Sequence, residues 1–311
     1  MKLRVMRRRR VPLLLLFVLM LTGESALAQP AQSESELFRA RIDAAGLALG
    51  NYPRYRNLAP KYRQQLAEFV SGNLLFAILH ELGHAAIDQM KLPVLGKAED
   101  AADAFAATRL IKMGDDFSHR VLVEAAKGWF LSVRRDKKEG TEVNYYDAHG
   151  LDQQRAFQIV CFMVGADSVQ FKDLANETKL PQDRQRSCAA DYTGAANSWD
   201  SLLKPHLRAP DQPRTEIDVV YGEGKGRAEI AAQASRSILL LETVARHSGD
   251  KLAWPAPFTL EMESCGFPNA SWDPPTSKLT LCYELAADFA DLYREYDTAS
   301  VAPVRKRKSK K

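Results

Sequence analysis

The 311-residue chain has no run of about 18 uninterrupted apolar residues, the length that a helix needs to cross a bilayer. It also lacks a basic body. The net charge is +4, but residues 1–28 carry +5 and residues 305–311 carry +6, which leaves −7 on the stretch between. A folded part of that sign repels phosphate, so a nucleic-acid-binding body is excluded. Cysteine is scarce. Only Cys161, Cys188, Cys265 and Cys282 occur, and no C-x-x-C pair is among them. Two disulfides are therefore favoured over a four-thiolate zinc site. Three connectivities are open to four cysteines, and pairing sequence neighbours gives Cys161–Cys188 and Cys265–Cys282. No internal repeat is present, which argues against a solenoid. What remains, at 46% hydrophobic and 26% charged, is an ordinary globular composition with ample chain to bury a core.

The first 28 residues read as a secretory leader. Arg7–Arg10 precede an eleven-residue apolar core, Val11–Leu21, and Ala26-Leu27-Ala28 offers the small-x-small cleavage site. The expected location of the mature chain is periplasmic or secreted, with no membrane-integral part once the leader is cut. Residues 29–205 carry helical periodicity, with a capping box at Ser33-x-x-Glu36 and Pro93 ending a long helix near Met90. Further helices are expected from Lys97 to Met113, from Phe117 to Val133, from Asp152 to Val164 and around Tyr192–Leu203, with a charged loop over 134–149. The period changes in 206–300. Ile217–Tyr221, Phe258–Met262 and Lys278–Tyr283 read as strands, and Glu229–His247 and Glu284–Tyr296 as helices. The predicted class is α+β, mainly helical, with a small antiparallel sheet. Residues 301–311 read as a solvated basic tail.

The sharpest signal is His80-Glu81-Leu82-Gly83-His84. Four residues apart on a helix, the two imidazoles share a face and can reach one metal, with Glu81 beside it. Zinc suits two imidazoles and a carboxylate with a position left for water. That water becomes acidic enough for Glu81 to take its proton near neutral pH. Fifteen residues after His84, the run Glu99-Asp100-Ala101-Ala102-Asp103 opens the next helix. Glu99 and Asp103 are again four apart, so one can bind the metal while the other accepts an imidazole N–H. A second group is Tyr145-Tyr146-Asp147-Ala148-His149, followed by Asp152 and Arg155. His119, His206 and His247 read as surface residues.

The HELGH helix followed by a carboxylate-x-x-x-Asp pair resembles the gluzincin metallopeptidases, the thermolysin and neprilysin kind. More closely, LHELGHAAID, LPVLGKAEDAADAFA, YDAHGLDQQR and CGFPNASWDPP with LTLCYEL resemble a bacterial family described as "putative metallopeptidase", of unknown function. The resemblance covers most of residues 70–290 in patches and implies a zincin-like fold with its HExxH active-site helix. It implies one zinc held by His80, His84 and Glu99, with Glu81 as general base and Asp103 as the partner of His80. His149, oriented by Asp147, would donate to the oxyanion, with Tyr146 as the substitute donor. Asn269-Ala270-Ser271-Trp272 is similar to the Asn-Ala-aromatic strand on which neprilysin-like enzymes lay the substrate backbone. It departs from them in following the zinc helix rather than preceding it, so either the placement is permuted or the segment is a hairpin stapled by Cys265–Cys282.

The function expected from these features is an exported zinc metallopeptidase acting on a peptide or protein. The alternative is a catalytically silent, zinc-containing cell-envelope protein that binds a peptide or envelope partner. A complete His-Glu-x-x-His favours the enzyme, because a structural site has no need of Glu81.

Overall fold

Residues 60–89 are apolar on nearly every face, and a helix of that kind must be wrapped by other elements. The computed structural model, which describes residues 33–297, shows how this is done. The leader and the basic tail lie outside the described residues. Helix α2 (Pro60–Gln89) runs through the middle, started by Pro60 at its first position. It is long and apolar enough to cross a bilayer by composition, but most of that stretch is buried within the protein. Packed around it are α1 (Glu34–Ala48), α3 (Ala98–Met113), α4 (Asp116–Glu139) and α10 (Tyr283–Tyr296). The Ser33–Glu36 capping box opens α1, with Glu36 Oε2 on the Ser33 N–H at 2.7 Å. Outside this ring, α5 (Asp152–Ala166), α6 (Lys172–Glu177) and α7 (Gln182–Leu203) form a second layer. The predicted disulfide Cys161–Cys188 joins α5 to α7.

After a connector through Pro205–Arg214, the chain enters a four-stranded sheet. Its strands are β1 (Ile217–Tyr221), β2 (Phe258–Glu263), β3 (Ala270–Asp273) and β4 (Lys278–Cys282), in the order β1-β2-β4-β3. The sheet is mixed, not antiparallel as predicted. β1 and β4 both run parallel to β2, and only β3 runs antiparallel, on β4. The reason lies in the connections. Helices α8 (Ala228–Ser237) and α9 (Leu240–Lys251) form a crossover that returns the chain in its original direction. β3 then takes the outer edge, and β4 turns back inside it.

Three helix boundaries also differ from the periodicity. α4 continues to Glu139 because its charged last turns pair with α10: Arg135 Nη1 reaches Asp288 at 3.0 Å, and Tyr296 Oη donates to Glu139 at 3.0 Å. α7 starts at Gln182, ten residues earlier than expected, since its exposed polar face hides a periodicity marked by buried Cys188 and Ala196. The helix expected over Glu229–His247 is broken at Leu239, where φ is 55°. One apolar core runs from Phe38 to Ala286, so the helical and α+β regions pack as one unit.

The crossing of α2 and α4 is unusually close. A Cβ on Gly128 would lie 2.0 Å from Asn73 Oδ1, and Asn73 Nδ2 donates to the Phe69 and Glu124 carbonyls at 2.9 and 3.0 Å. At the same crossing a Cβ on Gly72 would lie 3.0 Å from Glu124 Cβ, and Glu124 Oε2 is buried with no hydrogen-bond partner among the described residues. Burial raises its pKa from 4.5 to about 7, with Lys127 pulling down and Glu68 and Asp297 pushing up. The folded chain therefore keeps a proton that the unfolded chain releases near its ordinary value, so stability falls as pH rises from about 4.5 to 7. Glu124→Gln is expected to stabilise the protein by about 2 kcal/mol above pH 7 and to change little near pH 4, measured by thermal unfolding across pH. An equal effect at both pH values would refute this account.

Candidate metal centre

The geometry begins with a missing side chain. Gly83, inside the HELGH turn of α2, faces α3, and a Cβ there would lie 3.0 Å from Ala102 Cα. Glycine in a helix interior costs about 1 kcal/mol relative to alanine, so its presence needs a reason, and the close approach supplies one. Glu99 and Asp103 flank Ala102 on α3 and are thereby carried to the His80–His84 face.

Three donor atoms converge there. Glu99 Oε2 lies 3.0 Å from His80 Nε2 and 3.2 Å from His84 Nε2, and the two imidazole nitrogens are 3.1 Å apart. The edges of a tetrahedron of ligands bound at 2.0–2.1 Å are about 3.4 Å, so the group fits a small divalent metal with little movement. Asp100 is exposed, and it is Glu99 whose carboxylate sits among the imidazoles. Asp103 Oδ1 accepts from His80 Nδ1 at 2.7 Å, which turns Nε2, the nitrogen that would exchange its proton for a metal, toward the cluster. On its far side Asp103 meets Arg155, whose Nε and Nη2 each lie 2.7 Å from a carboxylate oxygen.

The electrostatics follow from burial and pairing. Burial pulls His80 down, but its bonds to Asp103 and Glu99 outweigh that and raise it to about 9. The hydrogen bond with His80 holds Glu99 at about 2 against burial. Burial works to raise Asp103, yet His80 and Arg155 hold it at about 2. Glu81 differs. Only 8% exposed, it is pushed up chiefly by burial, although His80, His84 and the Trp272 backbone N–H pull the other way.

That Trp272 contact places the Asn-Ala-Ser-Trp segment. β3 lies along α2, with Trp272 Nε1 donating to Asp88 Oδ2 at 3.1 Å, two helical turns from Glu81. The segment is thus both an edge strand beside the HELGH helix and, through Cys265–Cys282, tied to the end of β4. Asn269 accepts from the Cys282 N–H at 2.9 Å, so the alternation of an antiparallel pair turns the Ala270 N–H and C=O away from β4.

His149 is the third imidazole. Its Nε2 is 2.9 Å from Glu99 Oε2 and its Nδ1 is 3.2 Å from Asp147 Oδ1. His80, Glu99 and His149 on their own bring donor atoms within 4.8 Å of one another. The exposed loop that carries His149 is held down by Lys97, whose Nζ donates to the Asp147 and His149 carbonyls at 3.1 and 3.3 Å. Tyr146 is not drawn in and stands 92% exposed. Gly83, Lys97 and Arg155 were given no role from sequence. Only Gly83 had a local signal, as a glycine inside a helix. Of the histidines read as surface residues, His119 is half-buried against Phe171 and Gln170, and burial lowers His247.

A family model described as "Putative metallopeptidase" matches residues 49–203 and 225–310. No curated protein and no solved structure matches the chain.

The cluster makes definite demands on metal binding. His80→Ala and His84→Ala should each abolish stoichiometric binding of a divalent metal, read by elemental analysis after dialysis. Glu99→Ala should weaken binding far more than Asp100→Ala, read by chelator competition. A larger loss at Asp100 would mean that the acidic turn is read one residue out of register.

Proposed function

Because the chain belongs to the family described as "Putative metallopeptidase", we propose that it is an exported, zinc-dependent hydrolase of peptide bonds. One observation carries the reading: His80, His84 and Glu99 converge at about 3 Å beside a buried Glu81. In this reading His80, His84 and Glu99 hold one zinc. Zinc bound there supplies Lewis acidity, lowering the pKa of a water and polarising the scissile carbonyl.

The other roles belong to the chain's own residues. Glu81 accepts a proton from the attacking water and passes it to the departing amine. A carboxyl raised by burial suits that double duty better than an ordinary one. His149, with Nδ1 on Asp147, donates through Nε2 to the oxyanion. Tyr146 is the substitute donor and would have to swing inward from its exposed position. Ala270, with its free N–H and C=O, and the Asn269 side chain receive the extended backbone of a peptide or protein substrate. Export is supported by the leader pattern and by two disulfides, which persist in oxidising compartments.

The second reading, a catalytically silent zinc-containing envelope-binding protein, draws on the closeness of His149 to Glu99. Three imidazoles and a carboxylate would complete a closed four-ligand site. Two variants separate the readings. Glu81→Gln should keep zinc and thermal stability while peptide hydrolysis falls by roughly 10²-fold or more. His149→Ala should keep zinc and lose turnover if His149 serves the oxyanion, but should lose zinc if it closes the site. Equal turnover by wild type and Glu81→Gln on a genuine substrate would end the hydrolase reading.

A further inference from the structure

Asp103 can hold His80 only if something holds Asp103. A carboxylate on a helix can rotate about two side-chain bonds, and one hydrogen bond from an imidazole does not fix its plane. Arg155 does. Its Nε donates to Asp103 Oδ2 and its Nη2 to Oδ1, both at 2.7 Å, the paired geometry in which a guanidinium fork matches a carboxylate. The guanidinium is fixed in its turn, with its carbon 3.8 Å from the centre of the Trp129 ring on α4. Arg155 and Asp103 are both largely buried, their side chains 10% and 13% exposed, so solvent screens the pair little. The chain of contacts thus runs from Trp129 through Arg155 and Asp103 to His80 Nδ1 at 2.7 Å.

We propose that Arg155 is a positioning residue of the metal centre. Its fork holds Asp103 in the orientation that accepts from the His80 Nδ1–H and keeps His80 Nε2 turned toward the metal position. The inference rests on the metal-centre reading above and adds a residue that reaches the metal position through Asp103 and His80. Location gives Arg155 a second effect. It sits in the first turn of α5, six residues after His149, so the clamp that orients His80 also anchors the end of the loop carrying the third imidazole. A merely structural ion pair would tie α5 to α3 and affect stability alone.

The test is the zinc dissociation constant of the full chain, measured by chelator competition with zinc alone and accompanied by thermal unfolding. Arg155→Met should weaken zinc binding by roughly 10–100-fold, the loss typical when the hydrogen-bond partner of a ligand histidine is disturbed. Arg155→Lys keeps the charge and the long stem, and so keeps the experiment open if Arg155→Met does not fold. It lacks the fork, and its zinc binding should remain measurably weaker than wild type. In an Asp103→Asn background, Arg155→Met should add less than about threefold, because the residue through which it acts is already lost. Wild-type affinity in either folded variant overturns the inference, as do fully additive losses in the double variant. A wild-type chain that binds no zinc overturns the metal-centre reading itself, and this inference with it.

Discussion

Where α2 crosses α3, the absent side chain of Gly83 lets two backbones meet at Ala102, and the convergence of Glu99 and Asp103 on His80 depends on that contact. The carboxylates of Glu99 and Asp103 reach the imidazoles because the helices that bear them are close, one turn of α3 serving two purposes. Glu99 enters the cluster, and Asp103 goes to the back of His80. Had an alanine stood at position 83, α3 would have to move outward by a few tenths of an ångström. The glycine is costly to the helix and permits the close crossing.

Around this contact the protein arranges charge in shells of alternating sign. Glu99 and Asp103 are negative, His80 lies between them, and Arg155 stands behind Asp103. Each buried charge has a partner within 3 Å, the condition under which burial is tolerated. Glu81 is the exception. It is buried beside the imidazoles with a backbone N–H for company, and it is the carboxyl at this site whose proton affinity rises. Groups pushed apart in proton affinity within one site are what acid–base chemistry needs. The three carboxyls differ in proton affinity because their surroundings differ.

How far this was legible depends on the range of each interaction. His80, His84, Glu99 and Asp103 were readable because helical spacing alone puts each pair on one face, and the turn between their helices is short. The disulfides were readable because each pairs neighbours in sequence. Arg155 and Lys97 were not, since both reach their partners about fifty residues away in the chain, and an arginine or lysine opening a helix has no local mark of such a role. The direction of the sheet was misread for a similar reason: strand residues show burial, while orientation is decided by the crossover through α8 and α9. The Asn269–Trp272 segment was left with two alternatives, a permuted substrate strand or a stapled hairpin; the fold makes β3 an edge strand antiparallel to β4, with Cys265–Cys282 at the end of that pair.

The contact between Trp272 and Glu81 joins residues 191 positions apart in the chain. During synthesis, the HELGH helix is made long before β3 exists, and no shorter nascent chain can form the edge on which Glu81 rests. Cys265–Cys282 adds a second condition, since the tie at the end of β4 closes only after oxidation. A chain assembled in this order holds the HELGH helix without its Trp272 partner while it is still being made. The length of chain between α2 and β3 thus works as a timer, separating the making of the HELGH helix from the completion of its surroundings.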